Sequence, residues 1–341
     1  MATIADIAKA SGVSTASVSY VLNNRHGAVS AGTRERVLQA MRDLNYRPSP
    51  LFMRKHARKS EVLGIAFTHP SLMMLTENPY FTLIIDGILS VTTAIGWDLI
   101  FFTTTSWTDF HKAMRAKCDG RCDGVALIGP DSNLGLIEVF KERGMPFICI
   151  NAGKDLEGAS TVDIDNEAAA RAMTEYLLSL GHKRVALLPG HRNYPTSSAR
   201  IQGYLAAMAA SRPFDPELII DGTYERNSGY ERARGLLSRP ASQRPTALFC
   251  GSDRIAFGAM DAAKELGVRI PQDLSIAGFD DIPQAASTDP PLTTMRQPLT
   301  EFGKTAAEVL LSHINDFTEM GQKTILPHEL IVRSSTAAIG T

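Results

Sequence analysis

The chain has 341 residues, 44% hydrophobic and 21% charged, with a formal net charge of -1; that length calls for more than one packed unit, and that composition excludes disorder and fibrous repeats. No apolar run reaches the roughly 18 to 20 residues of a membrane span, and the N-terminus opens on Asp6 and Lys9 instead of the apolar core of a secretion signal, so a cytoplasmic protein without a membrane partner is expected. The charge is unevenly divided: residues 1–60 hold ten Lys or Arg against three acids (+7), and the remainder holds 25 against 33 (-8). A small basic unit joined to a large acidic one suits a polyanionic partner for the first and repels it from the second.

In chain order, Thr3 is suited to cap a helix whose Ile4, Ile7 and Ala8 share a face, and Ser11-Gly12-Val13 ends it, Gly12 being free to turn left-handed. Ser14 caps a second helix, with Val18, Val21 and Leu22 as its buried stripe and Thr15, Ala16, Ser19, Tyr20 and Asn23 outward. Ser30 caps a third, in which Val37, Leu38, Met41 and Leu44 are expected to point inward and Arg34, Arg36 and Arg42 outward. Two short helices joined by a three-residue turn make a helix-turn-helix, and the third completes a small core. The second helix presents small side chains at its start: a thymine methyl can pack on Ala16, the Thr15 hydroxyl can bond base edges, and Tyr20 can reach a base or a phosphate. A helix-turn-helix used for protein contacts would present a similar face.

Beyond residue 61 short apolar strands alternate with helices. Strands are expected at 62–68, 98–103, 124–128 and 147–151, separated by helices such as 81–94 and 134–143. A second series places strands at 185–188, 218–221, 247–250 and 274–277 among helices at 166–180, 198–210, 227–237 and 254–266. Two parallel sheets covered on both faces result, with a ligand cleft expected at the carboxyl ends of their strands. A last strand is expected at 326–333, followed by a tail with no leucine heptads for a tetramerising coiled coil.

Several runs together carry a family likeness. TIADIAKASGVSTASVSYVLNN and VSAGTRERVLQAMRDLNYRP, then NPYF at 78–81, VDIDN at 162–166, GHKRVALL at 181–188, Arg200 with Gly203, GFDD at 278–281, PPLTTMRQ at 290–297 and ELIVRSST at 329–336 resemble the lactose-repressor and galactose-repressor (LacI/GalR) family of bacterial regulators. The resemblance implies an all-α helix-turn-helix headpiece (1–48), a hinge (49–61) and an α/β effector and dimerisation domain (62–341). That domain would hold two Rossmann-like parallel-sheet subdomains of the type I periplasmic-binding-protein kind, one about 62–163 with 295–322, the other about 164–294 with 323–341. It also implies a repressor that binds a pseudo-palindromic DNA operator as a homodimer. Thr15, Ala16 and Tyr20 stand at the family's base-reading positions, with Ser14, Ser17, Asn23 and Ser30 as phosphate contacts or caps. The effector candidates it implies are Asn78, Tyr80, Phe81, Asn151, Arg200, Tyr224, Ser252, Asp280 and Gln297, with a carbohydrate as the leading ligand. Asp253 and Asp281 read equally as structural caps, and Tyr80 as core packing.

Ser252 stands where the family often has Asn, and Leu72-Met73-Met74-Leu75 lengthens the approach to NPYF, so pocket shape is expected to differ from that of relatives. A nucleobase-type corepressor is the alternative effector, and a solute-binding protein for transport is the alternative class. Catalysis is not expected, because the chain has no Gly-rich phosphate loop, no His-Glu-x-x-His and no Gly-x-Ser-x-Gly. Neither cofactor nor metal is called for: Cys118 and Cys122 make at most half a metal site, and with Cys149 and Cys250 read better as free thiols.

The hinge departs from the family pattern. Where relatives insert a leucine wedge into the minor groove, this chain has Lys55, with Leu51 and Phe52 earlier and Arg54, His56, Arg58 and Lys59 around it. Lysine cannot offset the unstacking cost of about a few kcal/mol per step as an apolar wedge does, so Arg54 and Lys55 are expected to act through backbone or narrow-groove electrostatics, with either a shifted wedge among Leu51 and Phe52 or none. The operator should therefore bend less than is usual for the family. In a circular-permutation gel assay the bend should be modest and diminish in Leu51→Ala and Phe52→Ala; a sharp kink that survives both changes would overturn this.

Overall fold

The structure, a computed structural model, describes residues 3–22, 27–44, 46, 59–67, 78–102, 120–130, 135–153, 156–209, 215–316 and 318–339. The expected hinge wedge and the Leu72–Leu75 stretch lie outside them. The headpiece has three helices, α1 (Ile4–Ser11), α2 (Thr15–Leu22) and α3 (Ala31–Asp43). Its core is Ile7, Ala8, Val18, Val21, Val37 and Ala40. Two residues expected there are on the surface instead: Leu38 and Leu44 are 36% and 39% exposed. Leu38 is a quarter turn away from the buried Val37, and Leu44 caps the helix beyond its last turn.

The rest of the chain builds two sheets. The first takes β1 (Val62–Phe67), β2 (Asp98–Phe102), β3 (Gly124–Ile128), β4 (Phe147–Ile150), β5 (Ser160–Asp163) and β10 (Lys323–Ile325) in the order β10-β5-β4-β3-β1-β2, all parallel. The second takes β6 (Val185–Leu188), β7 (Ala247–Cys250), β8 (Ser275–Asp280), β9 (Thr293–Arg296) and β11 (Glu329–Ile331) in the order β11-β9-β8-β7-β6, with only the β11–β9 pair antiparallel. The inner strands are buried nearly throughout, as parallel strands covered on both faces must be, while β2, β10 and β11 are partly exposed. Helices α4 (Pro79–Ala94), α5 (Gly135–Arg143) and α10 (Leu299–Asn315) accompany the first sheet; α6 (Asn166–Ser179), α7 (Pro195–Met208), α8 (Arg226–Leu237) and α9 (Asp253–Glu265) accompany the second.

Three sequence expectations are corrected. Residues 218–221 form no strand: Pro216 opens a short 3-10 turn, Pro216–Leu218, and only Ile219 then bridges to Leu187. The last strand is shorter than 326–333: only Glu329–Ile331 pair, in the second sheet, because Pro327 interrupts the chain where it crosses over from β10 in the first. Consequently 323–325 belong with the first sheet and 295–296, the end of β9, with the second, which moves the crossovers to 297–298 and 326–328. Three short strands, β5, β9 and β10, were not anticipated as strands.

Cys122, Cys149 and Cys250 are buried free thiols, and burial pushes Cys149 and Cys250 up to about 12, far from a reactive thiolate. Cys118 lies outside the described residues. Among the described residues no helix is long and apolar enough to cross a membrane.

Helices α4 and α10 approach so closely that a Cβ on Gly303 would lie 1.9 Å from the Ile84 carbonyl oxygen. Gly303→Ala should therefore cost about 1–3 kcal/mol as overpacking. Gly235, exposed on α8 with nothing within 4 Å of its Cβ position, should behave oppositely. Gly235→Ala should add about 0.5–1 kcal/mol through helix propensity. Thermal denaturation followed by circular dichroism should move the two midpoints in opposite directions.

Candidate DNA-reading helix and effector cleft

In the headpiece, α1 carries a reciprocal cap: Asp6 N–H donates to Thr3 Oγ1 at 3.3 Å and Thr3 N–H to Asp6 Oδ2 at 2.8 Å. Those bonds hold the Asp6 carboxyl below its usual range. Gly12 then turns left-handed at φ 67°, which directs the chain into α2. Ser14 accepts the Ser17 N–H at 3.1 Å and Ser30 the Thr33 N–H at 3.2 Å, so both cap the helices they precede. Thr15 and Ala16 are exposed on the first turn of α2, and Tyr20, 37% exposed, follows one turn later; Ser17 is half-buried with its hydroxyl 3.0 Å from that of Ser14. Asn23, Leu51, Arg54 and Lys55 lie outside the described residues.

The second candidate site is a cleft between the carboxyl ends of the two sheets, with about 720 Å³ of empty space, its solvent-filled mouth included. Asn78, Tyr80, Phe81, Asn151, Arg200, Tyr224, Ser252 and Asp280 all line it. Gln297 stands behind the wall, its side-chain amide donating to Asp280 Oδ1 at 2.7 Å. Tyr194, Thr196, Glu225 and Arg254 line it as well and were missed. They sit at or beside the first turns of α7, α8 and α9, whereas the sequence reading stopped at strand ends; the rule that places ligands there covers the following helix starts too.

Arg200 organises the interior of the cleft. Gly203, one turn along α7, has no room for a Cβ against the Glu167 carbonyl 2.1 Å away, so α7 lies close enough to α6 for Arg200 Nε to reach Asn166 Oδ1 at 2.9 Å. Nη1 donates to the Gly251 carbonyl, and the guanidinium carbon lies 3.7 Å above the centre of the Phe279 ring. Two of its three nitrogens are thus held inside the protein, and the third is the one available to a ligand. Asn166 also donates to Asp163 Oδ1 at 2.8 Å, and Asp163 accepts the Gly153 N–H at 2.6 Å and the Ile164 N–H at 2.8 Å.

Two buried carboxyls, Asp163 and Asp280, lie near this one guanidinium, and a third, Asp253, lies near Asp280. Burial pushes Asp280 up to about 7, with Arg200 and the Gln297 amide holding it down only in part. Burial likewise raises Asp163, to about 6, against its backbone bonds and Arg200, and raises Asp253 well above the carboxylate range. Asp253 caps nothing: Ser252 caps α9 by accepting the Ile255 N–H at 3.3 Å, while Asp253 accepts the Thr294 hydroxyl at 2.6 Å and the Ile282 N–H at 2.9 Å. Asp281 faces away from the cleft and pairs with Arg296 and Arg333, each at 2.7 Å.

Asn151 adopts a left-handed conformation at φ 58° and donates to the Tyr80 hydroxyl. That places Tyr80 in the cleft, where burial raises its phenol well above the usual range. Its ring stands edge-on to Phe81 at 5.1 Å, and across the cleft Tyr194 and Tyr224 make a similar pair at 5.6 Å. Arg254 pairs with Glu225 at 2.7 Å near the mouth.

Comparison with known proteins gives a consistent result. Residues 3–49 match the bacterial regulatory proteins of the lacI family, and residues 174–336 match the periplasmic binding protein-like domain. The HTH-type transcriptional repressor PurR of Aliivibrio fischeri (strain MJ11) is 32% identical over 338 residues, 98% of this chain and 98% of that protein. Among solved structures, a complex of the transcriptional regulator CelR with cellobiose superposes with a TM-score of 0.76 at 28% identity, covering 98% of this chain and 100% of that one. The lac repressor dimer bound to operator and the anti-inducer ONPF gives 0.72 at 27% identity, with 99% of each chain covered.

The raised Asp280 carboxyl has a consequence for stability. A carboxyl whose pKa rises on folding contributes stability that is complete below its unfolded value and lost as pH rises through its folded value. For Asp280 that window runs from about 4 to about 7, and for Asp163 it closes at about 6. The melting temperature of the unliganded protein should fall between about pH 4 and pH 7, and Asp280→Asn should flatten the upper part of that fall. Parallel curves for the two proteins would show that Asp280 does not carry it.

Proposed function

The chain belongs to the lacI family of bacterial regulatory proteins and is a DNA-binding transcriptional repressor, not an enzyme; from that premise we propose that its effector is a sugar or sugar derivative held in the cleft. The observation that carries this is the convergence of the remaining Arg200 nitrogen, the Asp280 carboxyl and the Asn151 amide oxygen on a cleft flanked by aromatic rings. Vicinal hydroxyls donate and accept at once, so they can answer a carboxyl and a guanidinium on neighbouring atoms, while a ring's apolar face packs on Tyr80 or Tyr224. The cellobiose bound to CelR supports the same reading. A planar nucleobase is the second reading, favoured by aromatic side chains standing on both sides of the cleft.

On DNA, Thr15, Ala16 and Tyr20 read base edges in the major groove, and Ser14, Ser17, Asn23 and Ser30 approach phosphates or cap helices. Leu51, Arg54 and Lys55 act in the hinge. Residues 1–48 form the DNA-binding unit and 62–341 the effector and dimerisation unit, joined by 49–61. One headpiece reads too few base pairs for genomic selectivity, so two work as a homodimer on a pseudo-palindrome. The dimeric lac repressor on its operator supports this arrangement. An effector that changes operator affinity about 100-fold must favour one arrangement of the two sheets by about 2.7 kcal/mol.

Random-site selection with the purified protein at moderate salt should return a pseudo-palindrome. Tyr20→Ala should change the preferred bases, where a phosphate contact would only weaken all sites alike. Failure to enrich any site would remove DNA reading by this headpiece, and a thermal shift with nucleobases but no sugar would replace the sugar reading with the second one.

A further inference from the structure

At and behind the cleft, the buried side-chain atoms without a partner are of one kind, set beside the one donor that Arg200 keeps for a ligand. Among the described residues, the buried side-chain oxygens of Asn78, Asn151 and Gln297 have no partner, and all three are acceptors. Asn151 and Gln297 are 6% and 3% exposed, so water does not readily satisfy them. The other buried atom in this state, Arg184 Nε, belongs to a residue that does not line the cleft. Two helix starts at the cleft lack their first backbone donor, since α4 and α7 each begin with a proline, Pro79 and Pro195, which has no N–H, and the Ile255 N–H in α9 is taken by Ser252.

Charge is unbalanced in the same direction. Asp163 and Asp280 are both buried near the single guanidinium of Arg200, and Asp253 is buried near Asp280. Arg254 does not redress this, because it is already paired with Glu225. An anionic ligand would therefore meet the Asp280 and Glu225 carboxyls and leave the amide oxygens unanswered. A neutral sugar answers the oxygens with its hydroxyls and leaves the charge as it was. An ammonium group supplies three donors and a positive charge in one substituent, and Tyr80, Phe81, Tyr194 and Tyr224 offer aromatic faces that attract it.

We propose that the effector carries a protonated amino group, set against the Asp280 carboxylate and the Asn151 amide oxygen. Resting on the sugar reading above, this makes the ligand an amino sugar. Its ammonium takes over the balancing of the buried carboxyls, so binding drives the proton off Asp280.

The test is titration calorimetry and thermal shift on the full chain with matched probes: glucose, glucosamine and N-acetylglucosamine, galactose and galactosamine, mannose and mannosamine, the aliphatic diamine putrescine, and the nucleobases adenine and guanine. One amino sugar should bind at least about ten-fold more tightly than its hydroxyl and N-acetyl counterparts. Near pH 6 its heat should depend on the buffer, because a proton is released. In Asp280→Asn both the preference and the buffer dependence should vanish, and the wild-type ranking stands as evidence even where that variant folds poorly. Equal or tighter binding of a neutral sugar would overturn the ammonium while leaving the sugar reading intact. Putrescine binding in place of every sugar would keep the ammonium and remove the sugar. Binding by a nucleobase alone, or by none of the probes, would overturn the proposal.

Discussion

A guanidinium buried to 2% exposure must be neutralised and hydrogen-bonded from within, and the interior of this protein is arranged around that requirement at Arg200. Its partners come from separate elements: Asn166 at the start of α6, the Gly251 carbonyl just beyond β7, the Phe279 ring in β8, and the nearby carboxyls of Asp163 and Asp280. Each lies at or near the carboxyl end of a strand, so the packing that satisfies Arg200 also defines the floor of the cleft. The close approach permitted by Gly203 is part of the same solution, since without it α7 could not bring Arg200 to Asn166.

The same bonds tie the cleft to the connections between the two sheets. Arg200 is held by Asn166, and Asn166 by Asp163, across the first crossover from β5 to α6. Asp280 is held by Gln297, which lies in the second crossover between β9 and α10. The two side chains of opposite charge that face the ligand are therefore each anchored on a segment that must bend if the sheets reorient. A ligand that pulls on Arg200 and Asp280 acts on both crossovers through one intervening side chain each.

Much of this was legible in the sequence where local chemistry decides structure. Thr3, Ser14 and Ser30 act as the caps their positions implied, and the stripe of Val18 and Val21 is buried. Eight of the nine effector candidates line one cleft and the ninth, Gln297, supports it. What the sequence left obscure depends on tertiary context. The apolar look of 218–221 suggested a strand, but Pro216 turns the chain first; the run at 326–333 looked continuous, but Pro327 interrupts it and only Glu329–Ile331 pair. The short polar strands β5 and β9 lack the apolar run that marks a buried strand, and only their neighbours in the sheets bury them. Tyr194, Thr196, Glu225 and Arg254 carry no motif and reach the cleft only because helix starts converge there.

The adjacent pair Asp280 and Asp281 shows how the cleft is made ready before a ligand arrives. Both residues have positive φ, 124° and 57°, a conformation that costs of the order of 1–3 kcal/mol for a residue other than glycine. Asp281 faces outward, where Arg296 and Arg333 each pair with it, and these charge-assisted bonds over-determine the backbone at that point. Asp280, one residue earlier, is thereby turned inward and fixed again by Gln297, the residue after Arg296. The outward aspartate is thus the anchor and the inward one the group presented to the ligand. Because the strain is borne by Asp281 and its two arginines, a ligand entering the cleft finds the carboxyl already in place, and its binding energy is available for moving the crossovers.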